Sequence, residues 1–354
     1  MRATPAIRLG RPDVGEAELA EVAAVFETGM LTTGPKVVEF EAELSRLCEV
    51  EHAVAVSSGT AALHLAVLAL GLEPGDEVIV PAYTFPATGN VVALAGLRPV
   101  LADVDPETMN LDPSRVEVGP RTRAILGVHL FGRPLPVEEL PGEVTLVEDA
   151  AGALGARSKG RACGSLGIAG CLSFHPRKVL TTGEGGAVTT SDGAFADEVR
   201  SLRNHGWRTL VPPDLPAPGL NYRLSDILCA IGIPQARRLD VLLAERARIA
   251  AGYAERLAGL PLLLPSAAEG DVHGWQAYVV QVEDRDQILA DLRAAGIEAQ
   301  IGTYALHHLG AYRDQGPFPG ADTVFRRALA LPFHTSLSDE DLDRVAETLA
   351  GLTR

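Results

Sequence analysis

Short apolar segments alternate with longer helical patterns over the first two thirds of the chain. Strands are predicted at residues 52–56, 77–81, 99–103, 123–129, 145–148, 170–174 and 187–190, with helices at 61–70 and 84–95. Strands that lack polar alternation are covered on both faces, which is typical of a mainly parallel sheet between layers of helices. The pattern therefore predicts an α/β fold of the doubly wound type.

The pattern changes on both sides of this alternating region. Residues 1–50 predict two helices separated at residues 32–35, and residues 239–257 predict one long helix. Beyond it, a strand at 277–282 and helices at 285–295 and 339–352 indicate a smaller α+β unit. We expect an N-terminal segment with a large domain at residues 1–238, and a connecting helix with a small C-terminal domain at 239–354.

Composition and charge restrict the function classes. The 354 residues carry a formal net charge of −15, which is unfavourable for binding nucleic acid or an anionic membrane surface. The four cysteines form no C-x-x-C pair, as expected in a reducing cytosol. Uncharged stretches at 52–72 and 78–97 reach the length of a membrane span, but small polar residues and prolines interrupt them. We expect a soluble cytoplasmic protein.

The first candidate site lies between a predicted strand and a predicted helix. Residues 57–60 read Ser-Ser-Gly-Thr. Small residues let the backbone approach a ligand, and the free N–H groups of a helix N-terminus favour an anion such as phosphate. The same residues also make an ordinary helix cap, and the two interpretations have equal weight. No dinucleotide or P-loop glycine motif occurs, which disfavours standard binding of those ligands.

Two charged residues follow other predicted strands. Asp149 ends an apolar strand, at the edge where open α/β sheets bind ligands, although it could equally cap the next helix. Lys178 follows an apolar strand and precedes a glycine-rich turn. A single lysine is usually a solvated surface group, but partial desolvation here would lower its pKa and favour the neutral amine that forms a Schiff base. Ser173 is close enough in sequence to share an anion with residues 57–60.

The remaining polar segments carry weaker signals. Asn221 and Arg223 are hydrogen-bond donors on a predicted loop, which could also be a simple helix start. Three histidines lack a metal-binding spacing, so no metal site is predicted at His307, His308 or His334. His175 is expected to contact the reacting residues and not the ligand itself.

Together these features fit pyridoxal 5'-phosphate. The phosphate needs a helix end, the pyridine nitrogen needs an anion, and the aldehyde needs an amine. The chain resembles the sugar-nucleotide aminotransferases of the DegT/DnrJ/StrS group from about residue 15 to 349. The resemblance rests on residues 31–35, 57–60, 81–85, 148–151, 173–186 and 221–223. It implies the fold-type I aminotransferase architecture, with the cofactor bound by the large domain.

The resemblance also implies a role for each matching residue. Lys178 would hold the cofactor and move a proton between cofactor and substrate carbons, and Asp149 would pair with the pyridinium nitrogen. The other implied site residues are Phe85 on the ring, Ser58, Gly59, Thr60 and Ser173 at the phosphate, Asn221 contributed by the neighbouring subunit of a homodimer, and Gly34, His307 and His308 near the substrate.

Three positions depart from the family pattern. Gly152 replaces a usual His or Gln, so a side-chain contact to the ring hydroxyl would be missing. Pro234 should kink or shorten a helix that is continuous in the family. Residues 301–308 form a shorter segment than its counterpart near the sugar. Lys178 itself argues against the related dehydratases, in which histidine replaces the lysine.

The resemblance implies a reaction. Glutamate or glutamine would donate an amino group to a nucleotide-linked keto sugar, and residues 174–178 most resemble members acting on 4-keto-6-deoxyhexoses. Two alternatives keep the cofactor: a non-catalytic pyridoxal-phosphate-binding regulator, and another fold-type I enzyme acting on amino acids. A nicotinamide-dependent sugar oxidoreductase is disfavoured because its glycine fingerprint is missing.

Overall fold

The computed structural model describes residues 6–353 and consists of ten α-helices and fourteen strands in that range. The helices are α1 (Glu16–Thr28), α2 (Pro35–Cys48), α3 (Gly59–Ala69), α4 (Ala87–Leu94), α5 (Gly193–Arg203), α6 (Asp226–Arg237), α7 (Leu239–Arg256), α8 (Arg285–Ala294), α9 (Pro319–Arg327) and α10 (Asp339–Leu352). The strands are β1 (His52–Val56), β2 (Glu77–Pro81), β3 (Tyr83–Thr84), β4 (Arg98–Ala102), β5 (Thr122–Val128), β6 (Thr145–Asp149), β7 (Arg157–Ser158), β8 (Arg161–Ala162), β9 (Ala169–Ser173), β10 (Gly186–Thr190), β11 (Tyr278–Gln281), β12 (Gln300–Ile301), β13 (Tyr304–Ala305) and β14 (Ala328–Leu331).

The main sheet has seven strands in the order β1-β10-β9-β6-β5-β2-β4. Only β10 runs against its neighbours, and the other six strands point the same way. The predicted large, mainly parallel sheet is therefore confirmed. In β6 and β9, Asp149 pairs with Cys171, so Asp149 and Ser173 leave the sheet at the same edge.

Helices cover both faces of this sheet. In β1, Val54 belongs to a core with α3, α4 and α5, whereas Ala53 and Ala55 belong to a core with α2 and α6. Full burial of an aliphatic side chain contributes roughly 1.5–3 kcal/mol, which explains why apolar residues occupy consecutive positions in these strands. The two-sided cover is what the continuous apolar segments predict.

The C-terminal part forms its own layer. Strand β14 pairs antiparallel with β11 and β12, and this sheet shares a core with α7, α8 and α10. Ile7, at the other end of the described chain, pairs with Ile297 and lies in the same core. Strand β13 instead joins β3 of the large sheet region, at Ala305 and Tyr83. The boundary between residues 238 and 239 stays a prediction, with Arg238 between α6 and α7.

Pro234 does not stop α6 at its own position. The helix continues to Arg237, and the N–H of Arg238 donates to the carbonyls of Pro234 and Gln235. Proline has no N–H for the carbonyl four residues earlier, and the next carbonyl, of Ile231, accepts the side-chain amide of Gln235 at 2.7 Å.

Among residues 6–353, no helix combines the length and apolar character that crossing a bilayer requires.

Candidate active site

One cavity of about 590 Å³ opens at the carboxyl ends of β1, β6 and β9. Its lining includes seven residues that the sequence predicts at the site: Ser58, Gly59, Thr60, Phe85, Asp149, Ser173 and Lys178. The carboxyl ends of parallel strands meet at one edge of a sheet, which brings residues far apart in sequence into one cavity.

The N-terminus of α3 forms one end of the cavity. Ser58 caps the helix, with its Oγ accepting the N–H of Ala61 at 3.0 Å. A Cβ on Gly59 would lie 2.7 Å from the Cβ of Ser173, so only glycine lets these segments meet. The first-turn N–H groups of a helix carry partial positive charge and favour a bound anion. The helix-cap and anion-site interpretations are therefore compatible here.

Asp149 is buried at the floor of the cavity, with 6% of its surface exposed. The Thr88 hydroxyl donates to its Oδ2 at 2.9 Å, and the Ala151 N–H donates to its Oδ1 at 3.2 Å. Burial raises the pKa of Asp149, while these hydrogen bonds and the Lys178 charge act in the opposite direction. Within residues 6–353, no arginine or lysine forms an ion pair with Asp149, so its carboxylate is oriented but available to a cationic ligand.

Lys178 lies in the loop between β9 and β10. The loop closes on itself, because the N–H of Phe174 donates to Gly185 and the N–H of Thr182 donates to the Phe174 carbonyl, at 2.8 and 3.0 Å. Burial lowers the pKa of Lys178, the Asp149 carboxylate opposes this effect, and the Arg177 guanidinium adds to it. More of the amine is therefore neutral, the form that attacks a carbonyl, than in a solvated lysine.

Four predicted residues lie outside this cavity lining. Asn221 is exposed and its backbone pairs with Asn204. Gly34 lies beside the start of α6, where its N–H donates to Asp226 at 3.0 Å. His307 and His308 both contact Asp322. Asn221 and Gly34 are predicted to act in a second subunit, so their roles stay predictions, as do those of the two histidines.

The C-terminal part forms another wall of the cavity, with residues that the sequence did not predict. Arg246 of α7 is 5% exposed, and its Nη1 donates to the carbonyls of Trp275 and Gln276 at 2.9 and 3.2 Å. Its guanidinium carbon lies 5.5 Å from the ring centroid of Phe333. Burial lowers the pKa of Arg246 to about 10. A signal existed: an arginine occupies the apolar stripe of α7 with Leu242 and Ile249.

Gln276 of this wall lies next to Gly152, the position at which the family usually has His or Gln. A Cβ on Gly152 would lie 3.4 Å from Oε1 and 3.5 Å from Cβ of Gln276. The Gln276 side-chain amide also donates to the carbonyl of Arg177 at 3.3 Å. An amide from the C-terminal part thus lies where a side chain at position 152 would begin. No signal in the sequence links residues so far apart.

The arrangement suits covalent carbonyl chemistry beside an anion-binding helix end. One cavity contains an amine with a lowered pKa (Lys178), an oriented buried carboxylate (Asp149) and a capped helix N-terminus (Ser58). These are the groups that an aldehyde, a protonated ring nitrogen and a phosphate require.

Comparisons with known proteins agree with this geometry. The sequence model of the DegT/DnrJ/EryC1/StrS aminotransferase family matches residues 12–350. The aminotransferase TlmJ from Streptoalloteichus hindustanus is 35% identical, with a TM-score of 0.93 over 98% of this chain and 100% of that one. DesV of S. venezuelae, in complex with a ketimine intermediate, is 35% identical, with a TM-score of 0.93 over 99% of each chain.

DesI, whose structure was determined in the presence of its TDP-sugar product, is 36% identical. Its TM-score is 0.92 over 99% of this chain and 93% of that chain. The predicted fold-type I architecture and the predicted enzyme class are therefore confirmed. The chain belongs to the DegT/DnrJ/EryC1/StrS aminotransferase family.

Proposed function

We propose that the protein is a pyridoxal 5'-phosphate-dependent aminotransferase that transfers an amino group from glutamate or glutamine to a nucleotide-linked keto sugar. The observation that carries the proposal is the placement of Lys178, Asp149 and the N-terminus of α3 around one cavity. Among the keto sugars, we propose a 4-keto-6-deoxyhexose, from the resemblance of residues 174–178 to family members that use such substrates.

The residues present fit the cofactor. The N-terminus of α3, with Ser58, Gly59, Thr60 and Ser173, offers donors to the phosphate. Asp149 would face the ring nitrogen and keep it protonated, and Phe85 would cover the ring. When bound, the cofactor supplies an electron sink for the carbon that loses a proton. Lys178 would be the amine that holds the aldehyde and, once released, would carry the proton between carbons.

The missing side chain at Gly152 has a candidate replacement. Gln276 lies against Gly152 and is fixed by its hydrogen bond to the Arg177 carbonyl. We propose that its amide contacts the ring hydroxyl in place of the usual His or Gln at position 152.

The same cavity extends towards cationic and polar side chains that suit a nucleotide diphosphate. Arg11 and Arg177 line it, and Nη2 of Arg177 donates to the Gln300 side chain at 2.6 Å. A charged arginine fork is suited to phosphate oxygens. DesI is 36% identical to this chain and aligns with 99% of it, and its structure was determined in the presence of its TDP-sugar product. This similarity supports a ligand of the same class here.

A homodimer with shared sites is part of the proposal. Large apolar side chains are exposed on and around α1 and α2, and 62% of Phe26 and 69% of Val38 are accessible. The other members of this set are Leu19, Met30 and Leu31. Gly34 lies between Leu31 and Val38 of this set in sequence, so an interface there would carry it towards a second cavity. We also propose a cytoplasmic location.

Purified protein incubated with glutamate or glutamine and a panel of nucleotide-linked keto sugars tests the function directly. Amination of a 4-keto-6-deoxyhexose is expected, with slower or no turnover of other sugars. Cofactor binding without reaction with either amino donor or any of the sugars would favour the regulator. Turnover of amino acids alone would favour another fold-type I enzyme. Borohydride treatment and peptide mapping should locate the cofactor on Lys178.

Mixed subunits test the shared site. We expect homodimers of Lys178→Ala to be inactive and homodimers of Asn221→Ala to be impaired. Co-expression of the two variants should restore activity, because a mixed dimer contains one site with both native residues. No recovery, with mixed dimers shown to form, would contradict the assignment of Asn221.

A further inference from the structure

Three potential metal ligands meet outside the proposed active site. His307 and His308 lie in a turn at Leu306–His308, and Asp322 lies in the first turn of α9. Nε2 of His307 is 3.0 Å and Nε2 of His308 is 2.7 Å from the same Asp322 Oδ1. All three ligand atoms lie within 4.8 Å of one another. Sequence spacing alone does not indicate this group, because Asp322 reaches the histidines only through the fold.

Aromatic neighbours hold both imidazole rings in place. His307 lies edge-to-face on Phe318 with ring centroids 5.1 Å apart, and His308 lies the same way on Phe325, also at 5.1 Å. The two imidazoles contact each other at 4.4 Å. The side chain of His307 is 9% exposed and that of His308 is 43% exposed. The ligands are therefore oriented in advance, with one side open to solvent.

We propose that His307, His308 and Asp322 bind a divalent transition-metal ion such as Zn²⁺, with water completing the coordination. Imidazole nitrogen and carboxylate oxygen are ligands that zinc accepts, whereas Mg²⁺ and Ca²⁺ prefer oxygen alone. Zinc bonds of about 2.0–2.2 Å place neighbouring ligand atoms roughly 3–4 Å apart, so small side-chain rotations suffice. The site goes beyond the proposed aminotransferase chemistry.

The charge arrangement favours a metal over a simple hydrogen-bonded cluster. Both Nε2 atoms converge on one carboxylate oxygen, and a single divalent ion would replace the two ring protons there. The Nδ1 atom of His307 is buried and has no hydrogen-bond partner in residues 6–353. With Nε2 on the metal, the ring proton would lie on this Nδ1, a buried donor without an acceptor, which lowers the zinc affinity expected of His307.

A metal here would join two elements beside the active site. The turn at Leu306–His308 directly follows β13, which pairs with β3, and β3 immediately precedes Phe85. Asp322 lies in α9, so the ion would connect this turn to that helix. The ion would close the intervening segment into a loop, and binding to the folded state alone raises thermal stability.

Zinc titration of the tag-free, chelator-treated holoenzyme tests the site. Calorimetry should show one Zn²⁺ bound per chain at this site and an increased melting temperature, with no such binding of Mg²⁺. The variants His308→Gln and Asp322→Asn should each lose this equivalent of zinc and the thermal shift. The matched control is Asp314→Asn, which removes the same charge from an exposed position between the two ligand elements and should bind zinc like the native protein.

Circular dichroism establishes that each variant is folded before titration. His308 is the more exposed histidine, so His308→Gln keeps the test valid if Asp322→Asn unfolds. Absence of zinc binding by the native protein would overturn the proposal, as would unchanged zinc stoichiometry in a folded His308→Gln variant. X-ray absorption of the zinc-loaded protein should show two imidazole ligands, and a spectrum with none would also overturn it.

Discussion

The two walls of the cavity are formed in different ways. The sheet wall comprises the carboxyl ends of β1, β6 and β9, with Asp149 and Lys178 held by neighbouring main-chain hydrogen bonds. The C-terminal wall is formed by single side chains from α7 and the segment before β11, such as Arg246 and Gln276. The first wall is fixed by the sheet, and the second depends on how the C-terminal part packs against it.

This difference suggests a division of labour. The sheet wall carries Asp149 and Lys178, the groups proposed for the transamination chemistry, and the ends of the strands hold these groups rigidly. The C-terminal wall carries Gln276, whose amide would contact the cofactor ring, and the buried guanidinium of Arg246. Substitutions in the first wall should therefore affect the reaction itself, and those in the second should mainly affect fit.

The largest effect is expected for Lys178→Ala. Removing a positioned acid–base group typically costs about 10²–10⁴-fold in rate, and loss of the covalent attachment adds to that. The fold should survive, because both hydrogen bonds of Lys178 involve its main chain: its N–H donates to the His175 carbonyl, and its carbonyl accepts from Nη2 of Arg246. Turnover and circular dichroism measure the two outcomes.

Lys159→Ala is the matched control for that variant. Lys159 is exposed and lies outside the cavity lining, so its removal should leave turnover unchanged. Substantial turnover by Lys178→Ala would remove the central role of the sheet wall.

Asp149→Asn should have the next largest effect. The amide keeps nearly the same shape beside Thr88 and Ala151 but loses the negative charge. Removing one preorganised electrostatic partner costs about 10²-fold in rate, and we expect weaker cofactor retention as well. Rate and cofactor content after dialysis should fall together; unchanged values in both would contradict the role of Asp149.

The same two walls explain what sequence could predict. The apolar run before Asp149 marks both its strand and its position at the edge of the sheet, and a capped helix start at Ser58 is a local pattern. The order of the strands is not local: β1 pairs with β10 and not with β2, through contacts across 130 residues of chain. Gln276 reaches Gly152 by tertiary packing alone, so no spacing or periodicity could indicate it.

Gln276→Ala tests the second wall. Loss of one neutral hydrogen bond costs about 0.5–1.5 kcal/mol, so a roughly 2- to 13-fold decrease in cofactor affinity or rate is expected. Gln287→Ala, on the exposed side of α8, is the control. Adding Gly152→Gln to the variant should restore part of the loss, because the atoms nearest to a Cβ at position 152 belong to Gln276 and lie 3.4 Å or more away. Equal behaviour of Gln276→Ala and the control would leave the amide with no role at the ring.

The smallest effect on cofactor attachment is expected for Arg177→Gln. The Arg177 charge lowers the pKa of Lys178, so its removal should raise that pKa and shift cofactor attachment towards higher pH. The shift should be small, because Arg177 is exposed and solvent screens its charge.

Asp149→Asn should shift the same profile towards lower pH, since the Asp149 charge raises the pKa of Lys178. Borohydride trapping across a pH series measures both, with Arg313→Gln, an exposed arginine outside the cavity lining, as the control. Opposite shifts would show that charges from both sides of Lys178 set its reactivity; shifts in the same direction would mean that the substitutions act through the fold and not through charge.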